Sequence, residues 1–254
     1  MFFTAESQAI GLSEKDFEAV NAVNAPTNPR HRLGTRGVTR DGRVFRFAKA
    51  GAVDLVAGNV LQSPAIVANH LALTAAAAAI GDKSTTITPG ATLGTANQYA
   101  EGLLGVDTAP GNGRVYGISG HPAFASATAF LLALENDDPI AVALTTSSRL
   151  GLIANPYNGV IQFPITTATG IVAGVAVSAI PAGQYGWIQT WGLASVLING
   201  TPALGAAVVT PSATTAGSVD VITTTNLVVA QMVGNMAQVG VSGKNNFVYL
   251  RIAA

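Results

Sequence analysis

The sequence is poor in charged residues. Only 10% of its 254 residues are Asp, Glu, Lys or Arg, whereas about a quarter of an ordinary soluble domain is charged. The surface must therefore consist largely of small uncharged residues, and a surface of this kind is commonly packed against other molecules. This composition predicts a protein that works in a permanent assembly; a monomer with a small-residue surface is the alternative.

The chain also contains no cysteine, which excludes disulfide bonds and thiolate metal sites. This absence is typical of proteins that fold in a reducing cytoplasm. The N-terminal residues lack a basic segment followed by a long apolar run, so we expect no signal peptide. The most apolar window, residues 71–80, is too short to span a bilayer, and we expect no membrane association.

Motifs for catalysis are missing as well. The three histidines, His31, His70 and His121, lie far apart in the sequence and in no spacing typical of metal ligands. Residues 117–121 (GISGH) lack the second glycine of a nucleophile elbow, and no stretch has the pattern of a phosphate-binding loop.

The acidic residues do not form a recognisable site either. The acidic turn Glu135–Pro139 lacks the glycine and the distal glutamate of a calcium loop. No pair of carboxylates is marked out for glycoside hydrolysis, so a hydrolase acting on cell-wall glycan is the least favoured function. We therefore predict a non-enzymatic protein that holds no metal and no cofactor.

The most informative stretch present is residues 182–201 (AGQYGWIQTWGLASVLINGT), which contains both tryptophans. Tyr185, Trp187 and Trp191 fall on one parity and smaller groups fall on the other, a pattern that indicates a β-strand. Aromatic rings bury large areas, so we predict that these three residues anchor a core.

Two glycines in this stretch carry further predictions. Gly192 marks a bend at which the run changes its pairing partner. Asn199-Gly200 predicts a two-residue hairpin, because a type I′ turn requires positive φ at both central positions.

From Val44 onward the pattern predicts an all-β body, an antiparallel barrel or sandwich over residues 44–254, because short strand-like runs alternate with turn signals. The alanine run at 75–79 is assigned to a strand and turn arrangement instead of a helix. If the body divides into two subdomains, the turn at residues 136–139 is the expected boundary. In the second half the predicted strands are 140–145, 150–153, 159–165, 171–177, 184–191, 193–198, 206–209, 218–222, 228–233, 236–241 and 246–252.

Residues 1–43 are predicted to form a short helix followed by an extended arm. Ser13 begins the helix as a capping residue, and Phe17, Val20 and Val23 form a narrow apolar stripe along it. Residues 26–43 contain two prolines, three glycines and almost no large apolar residue, which is typical of an arm or linker.

The arm is strongly basic. This leaves three interpretations: a solvated arm, a nucleic-acid tail, and an arm laid across an acidic neighbouring surface. No aromatic residues interleave with the arginines as they do in a stacking groove, so nucleic-acid binding is disfavoured. The arginines concerned are Arg30, Arg32, Arg36, Arg40 and Arg43.

As a set, four segments resemble a family of tailed-bacteriophage structural proteins, the capsid decoration (cement) proteins. The segments are TANQYAEGLLGV (95–106), RVYGISGHPAF (114–124), ALTTSSRLGLIANPYNGVI (143–161) and AGQYGWIQTWGLASVLINGT (182–201). The basic run VFRFAKAGAVDLVAGNVLQ (44–62) resembles the usual opening of these proteins, and the resemblance extends over residues 40–252.

The resemblance implies a virion protein bound in many copies to the major capsid protein on the outer surface of an icosahedral shell, as a homo-oligomer and commonly a trimer. The expected contacts to the shell or to a neighbouring protomer are the apolar stripe and the five arginines of the arm. The alternative is a tail or fibre component that binds a host receptor through loops such as 107–113 and 135–139.

Overall fold

The computed structural model describes residues 10–13, 31–212 and 215–254. These residues form seventeen β-strands and one 3₁₀ turn, Ala68–His70, so the predicted all-β class is confirmed. The strands are β1 Ile10–Leu12, β2 Arg36–Thr39, β3 Val44–Ala50, β4 Val60–Gln62, β5 Leu73–Ala75, β6 Ser84–Thr88, β7 Leu103–Thr108, β8 Val115–Gly120, β9 Phe130–Leu134, β10 Arg149–Ile153, β11 Asn158–Gln162, β12 Val172–Ala176, β13 Tyr185–Leu197, β14 Ala207–Val209, β15 Asp220–Val221, β16 Met232–Met236 and β17 Asn245–Arg251.

The chain folds as two compact units. The first unit contains residues 1–64 and 156–254, and the second unit contains residues 65–155, inserted between β4 and β11. The subdomain boundary predicted near 136–139 lies elsewhere, because these residues form a turn inside the second unit, between β9 and β10.

The first unit is built on an eleven-stranded sheet with the order β1-β2-β3-β11-β4-β12-β13-β17-β16-β14-β15. An additional pairing of β3 with β13 closes five of these strands, β3, β11, β4, β12 and β13, into a ring. The core cluster of this ring combines four alanines, among them Ala48, Ala173 and Ala176, with larger aliphatic side chains such as Leu61 and Ile188. Small residues are needed there because a barrel with few strands has a narrow interior.

The remaining strands of the first unit extend this sheet beyond the ring. Strand β17 alternates strictly: Val248 and Leu250 point inward and are fully buried, whereas the residues between them are exposed. The inward aliphatic residues pack with Val196 and Val233 in a second core cluster.

The second unit is a closed six-stranded antiparallel barrel with the order β10-β5-β6-β9-β8-β7. Its core contains Ile87, Leu104, Ile118 and Leu132, all fully buried. The alanine run is extended as predicted: β5 ends at Ala75 and Ala78 forms an isolated bridge with Leu144.

Strand β13 changes partner at Gly192, which confirms the prediction from the sequence. Tyr185 to Trp191 pair with β3, and Trp191 to Leu197 pair with β17. The register with β3 shifts between Gln189 and Trp191, and Gly192 has a φ of +87°. A Cβ atom at residue 192 would lie 3.1 Å from Cγ and 3.3 Å from Cα of Arg43, so both conformation and space favour glycine.

The interpretation of residues 26–43 as a linker is wrong for its second half. Residues 36–39 form β2, which pairs with β3, and Arg40 to Arg43 form the turn of that hairpin. Gly37 contributed to the linker interpretation, yet it is buried, and a Cβ there would clash with Leu12 and lie 3.0 Å from the Trp187 ring. The glycine permits close packing and does not mark flexibility.

The hairpin predicted at Asn199-Gly200 is also wrong. The next strand, β14, pairs with β15 and β16 and not with β13. The side-chain amide of Asn199 donates to Asp220 at 2.8 Å and the Gly200 N–H donates to Ser242 at 3.0 Å, so the chain turns a corner towards other strands.

Some of the predicted strands are shorter than expected or displaced along the chain. The predicted strand 140–145 contributes only the Ala78–Leu144 bridge, the predicted strand 228–233 begins at Met232, and 236–241 lies almost wholly beyond the end of β16. The predicted N-terminal helix, which follows its capping residue Ser13 and ends before residue 26, lies outside the described residues.

Replacing Gly192 by alanine tests the change of partner. The loss in free energy of unfolding should be about 2 to 4 kcal/mol, because positive φ and the contact with Arg43 both disfavour a Cβ. Gly200→Ala is the matched control: Gly200 has a φ of +80° but no atom within 4 Å of its Cβ position, so about 1 kcal/mol is expected. Denaturant unfolding measures both values. Equal losses in the two variants would contradict this account of Gly192.

Candidate functional site

Ionisable side chains form no metal centre in the described part of the chain. Among residues 10–13, 31–212 and 215–254, no group of three or more His, Asp and Glu side chains could hold a metal ion. In the same residues, no helix is long and apolar enough to cross a bilayer.

Two histidines and a tyrosine form a buried network in the second unit. The His70 Nε2–H donates to the carbonyl of Thr92 at 3.0 Å, and the Tyr99 hydroxyl donates to His70 Nδ1. The backbone N–H of Tyr99 donates to His121 Nε2 at 3.1 Å, and His121 Nδ1–H donates to the Pro122 carbonyl at 2.8 Å. Every ring nitrogen is thus used when both imidazoles are neutral.

This network stabilises the barrel and has no open position for a substrate. His70, Tyr99 and His121 are 0%, 2% and 6% exposed, and their rings contact Phe124 and Phe130. Burial raises the pKa of Tyr99 to about 12, and burial is also the main cause that lowers the pKa of His121 from 6.5. Tyr99 and His121 therefore remain uncharged at neutral pH.

A cavity of about 430 Å³ lies between loops of the first unit. Its walls combine apolar side chains with the hydroxyl-bearing residues Thr166, Thr167, Thr210 and Ser212. Among the described residues that line it there is no acidic, basic or histidine side chain, but the Ser212 hydroxyl donates to the carboxylate of Asp220 at 2.8 Å. That carboxylate also accepts from the Ser212 backbone N–H at 2.9 Å and from the Asn199 side-chain amide at 2.8 Å, and no histidine of the described lining accompanies it as a base.

The most distinctive surface is a cluster of apolar side chains on β13 and β17, which we call the aromatic face: Trp191, Leu193, Phe247 and Tyr249. Leu193 lies directly opposite Tyr249 in the ladder, and the Trp191 and Tyr249 rings meet edge to face at 5.8 Å. Leu193, Phe247 and Tyr249 are 48%, 53% and 38% exposed.

The face arises from the alternation of β17. Because Val248 and Leu250 fill the core side of this strand, Phe247 and Tyr249 must point outward. Arg251 is the only charged side chain on β13 and β17. Contiguous exposed apolar surface with few charges is typical of protein–protein contact sites.

The predicted core anchors separate into two groups. Tyr185 and Trp187 are buried at 7% and 2% exposure, and Trp187 packs against Phe47 and His31 with ring centroids 5.3 and 5.4 Å apart. Trp191 is partly exposed and belongs to the aromatic face instead. The register shift after Gln189 places it opposite Arg251 of β17.

The predicted arm residues are only partly described. Arg32, Arg36 and Arg40 are exposed. Arg43 is bound within its own hairpin, because its Nε donates to Asp41 at 2.8 Å and its guanidinium lies 5.8 Å from the Phe45 ring centre. The other predicted contacts, Phe17, Val20, Val23 and Arg30, lie outside the described residues.

Comparison with known proteins adds no family. No protein-family model, no curated protein and no solved structure matches the chain. The aromatic face and the exposed arginines of β2 and its turn are thus the features from which a function must be argued.

Acid should destabilise the second unit through His121. In the unfolded chain the histidine has its ordinary pKa of 6.5, whereas burial in the folded chain disfavours the charged ring and lowers this pKa; a protonated Nε2 would also face the N–H of Tyr99. Stability should therefore be complete above pH 6.5 and fall as the pH drops below it.

Calorimetry between pH 7.5 and 5.5 checks this expectation, since histidine is the side chain that ordinarily titrates there. The unfolding temperature should fall with pH, and His121→Gln should reduce the slope. His31→Gln, which alters a partly exposed histidine of the first unit, should leave the slope of unfolding temperature against pH unchanged. An unchanged slope in His121→Gln would contradict the assignment.

Proposed function

We propose that this chain is a non-enzymatic structural protein of a tailed-phage particle that decorates the outer surface of the capsid as a homo-oligomer. The observation that carries the proposal is the aromatic face, an exposed apolar sheet surface on a chain with only 10% charged residues. Such a surface is stable in solution when it is covered in an assembly. The resemblance of residues 40–252 to capsid decoration proteins supports the same function.

The buried polar groups support a structural function as well. The His70–Tyr99–His121 network is enclosed and internally satisfied, so it holds the barrel together without offering a reactive group to a substrate. The one carboxylate bound to a hydroxyl group of the described cavity lining, Asp220 beside Ser212, is buried and also accepts hydrogen bonds from the Ser212 N–H and the Asn199 amide, which is typical of a structural group.

We assign the contact to the major capsid protein to the hairpin formed by β2, β3 and the turn between them, which we call the basic hairpin. Its contact residues are Arg36 and Arg40. Both side chains are exposed, whereas Arg43 is already paired with Asp41. Exposed arginines can pair with acidic groups of a shell, and contacts of this kind govern association rate and salt dependence.

Decoration would stabilise the shell by mass action. A protein that binds the assembled shell and not its separated subunits adds a free energy of RT ln(1 + [L]/Kd), which is about 2.7 kcal/mol at a hundredfold excess over Kd. An oligomer strengthens this effect, because one bound protomer raises the effective concentration of the next.

Charge reversal tests the hairpin contact better than deletion. Deleting residues 1–43 would remove β1 and β2 and uncover the cluster of Phe45, Phe47 and Trp187. We expect the double substitution Arg36→Glu with Arg40→Glu to weaken binding to undecorated particles about tenfold or more and to abolish the gain in rupture temperature. Co-sedimentation and release of genome to a fluorescent dye measure these effects.

The matched control is Lys83→Glu with Arg114→Glu, which makes the same change in charge at two exposed residues of the second unit. This variant should bind and protect particles as the natural protein does. Equal binding by both variants would remove the hairpin from the contact, and unprotected particles at full occupancy would contradict a cementing role.

A further inference from the structure

We infer that the aromatic face is the surface through which one copy of this chain binds a second copy. The inference rests on the homo-oligomer of the proposed function and adds the surface that forms it. It concerns Trp191, Leu193, Phe247 and Tyr249, which are contiguous on neighbouring strands.

The size of the face fits the centre of a stable interface. Three of its side chains are between 38% and 53% exposed and the fourth is partly exposed. They therefore present on the order of 300 to 400 Å² of apolar surface. A standard interface buries about 800 Å² on each partner, with an apolar centre and a polar rim. Asn235, Asn245 and Ser195 supply polar groups around this centre.

The scarcity of charge on the face favours a second copy of this chain as the partner. The face itself contains no charged side chain and Arg251, at the end of β17, is the only one on β13 and β17, so the face offers almost nothing to attract an acidic or basic protein. Interfaces between identical subunits are the class that is richest in apolar surface and poorest in charge at the centre. A second copy of the chain, which is equally poor in charged residues, matches this property of the face.

The relief of the face also suits packing against another β layer. Phe247 lies opposite Ser195 of β13, and on the other side of β17 Tyr249 lies opposite Asn235 of β16. Each ring therefore has a shorter side chain beside it. Two β layers pack about 10 Å apart when large side chains of one fill the gaps beside small side chains of the other. The opposite side of this sheet already covers a closed core that contains Val196 and Val248.

The test uses the purified full-length chain in solution, without particles, so that its failure is distinct from failure of capsid binding. Sedimentation velocity should show an oligomer at micromolar concentration, and Phe247→Asp should weaken association about tenfold or more, because buried aromatic residues dominate interface energetics. Leu131→Asp is the matched control: Leu131 is 55% exposed on β9 of the second unit, and its replacement should leave the mass unchanged. Circular dichroism verifies that both variants remain folded.

A second measurement identifies the occupant of the face. Because the chain has no cysteine, Ser195→Cys introduces one thiol beside Phe247, and Ser147→Cys introduces one at an exposed loop of the second unit. Alkylation of Cys at 195 should be slow in the oligomer and become fast on dilution or in the Phe247→Asp background, whereas Cys at 147 should react rapidly throughout.

Three results would overturn the inference. They are a monomer at all concentrations, an oligomer in which Cys at 195 reacts as fast as Cys at 147, and protection at 195 that persists unchanged on dilution. The last result would show that another segment of the same chain covers the face.

Discussion

The first unit depends on one strand that changes partner part-way along its length. Before Gly192, β13 pairs with β3 and completes a ring of five strands; after it, β13 pairs with β17, which begins the part of the same sheet that lies beyond the ring. Gln189 stabilises this point, because its side-chain amide donates to the carbonyls of Trp191 and Leu193 at 3.0 and 2.8 Å. The hydrogen bonds of the buried Gln189 amide are thus satisfied by backbone carbonyls at the register shift next to Gly192.

This change of partner separates the aromatic residues of the first unit into two groups. Rings before it, such as Trp187, are buried beneath β2 and its neighbours, whereas Trp191 joins the rings of β17 at the surface. The second unit has no comparable face, because its four rings, Tyr99, Tyr116, Phe124 and Phe130, are all at most 6% exposed. A chain with so few charges that still presents rings together on β13 and β17 has a surface suited to assembly.

The sequence predicted local features better than long-range ones. Alternation predicted the β class and the irregularity at Gly192, because both follow from residues that are neighbours in the chain. A strand was predicted at 246–252, but the exposure of Phe247 and Tyr249 was not, because periodicity alone does not say which side of a strand meets the core. Gly37 looked like a linker residue because the close approach of Trp187 comes from a strand 150 residues later in the chain. The ring closures depend on such distant pairings too.

The central claim, that this is a capsid decoration protein, is tested most directly by its copy number in purified particles. Quantitative mass spectrometry against the major capsid protein gives that number. The account predicts a number of copies comparable to the number of shell subunits, as expected for a protein that repeats over the whole surface. A count of only a few copies per particle would contradict decoration and place the protein in the tail or neck, where the loops at 107–113 and 135–139 would become the candidate receptor site.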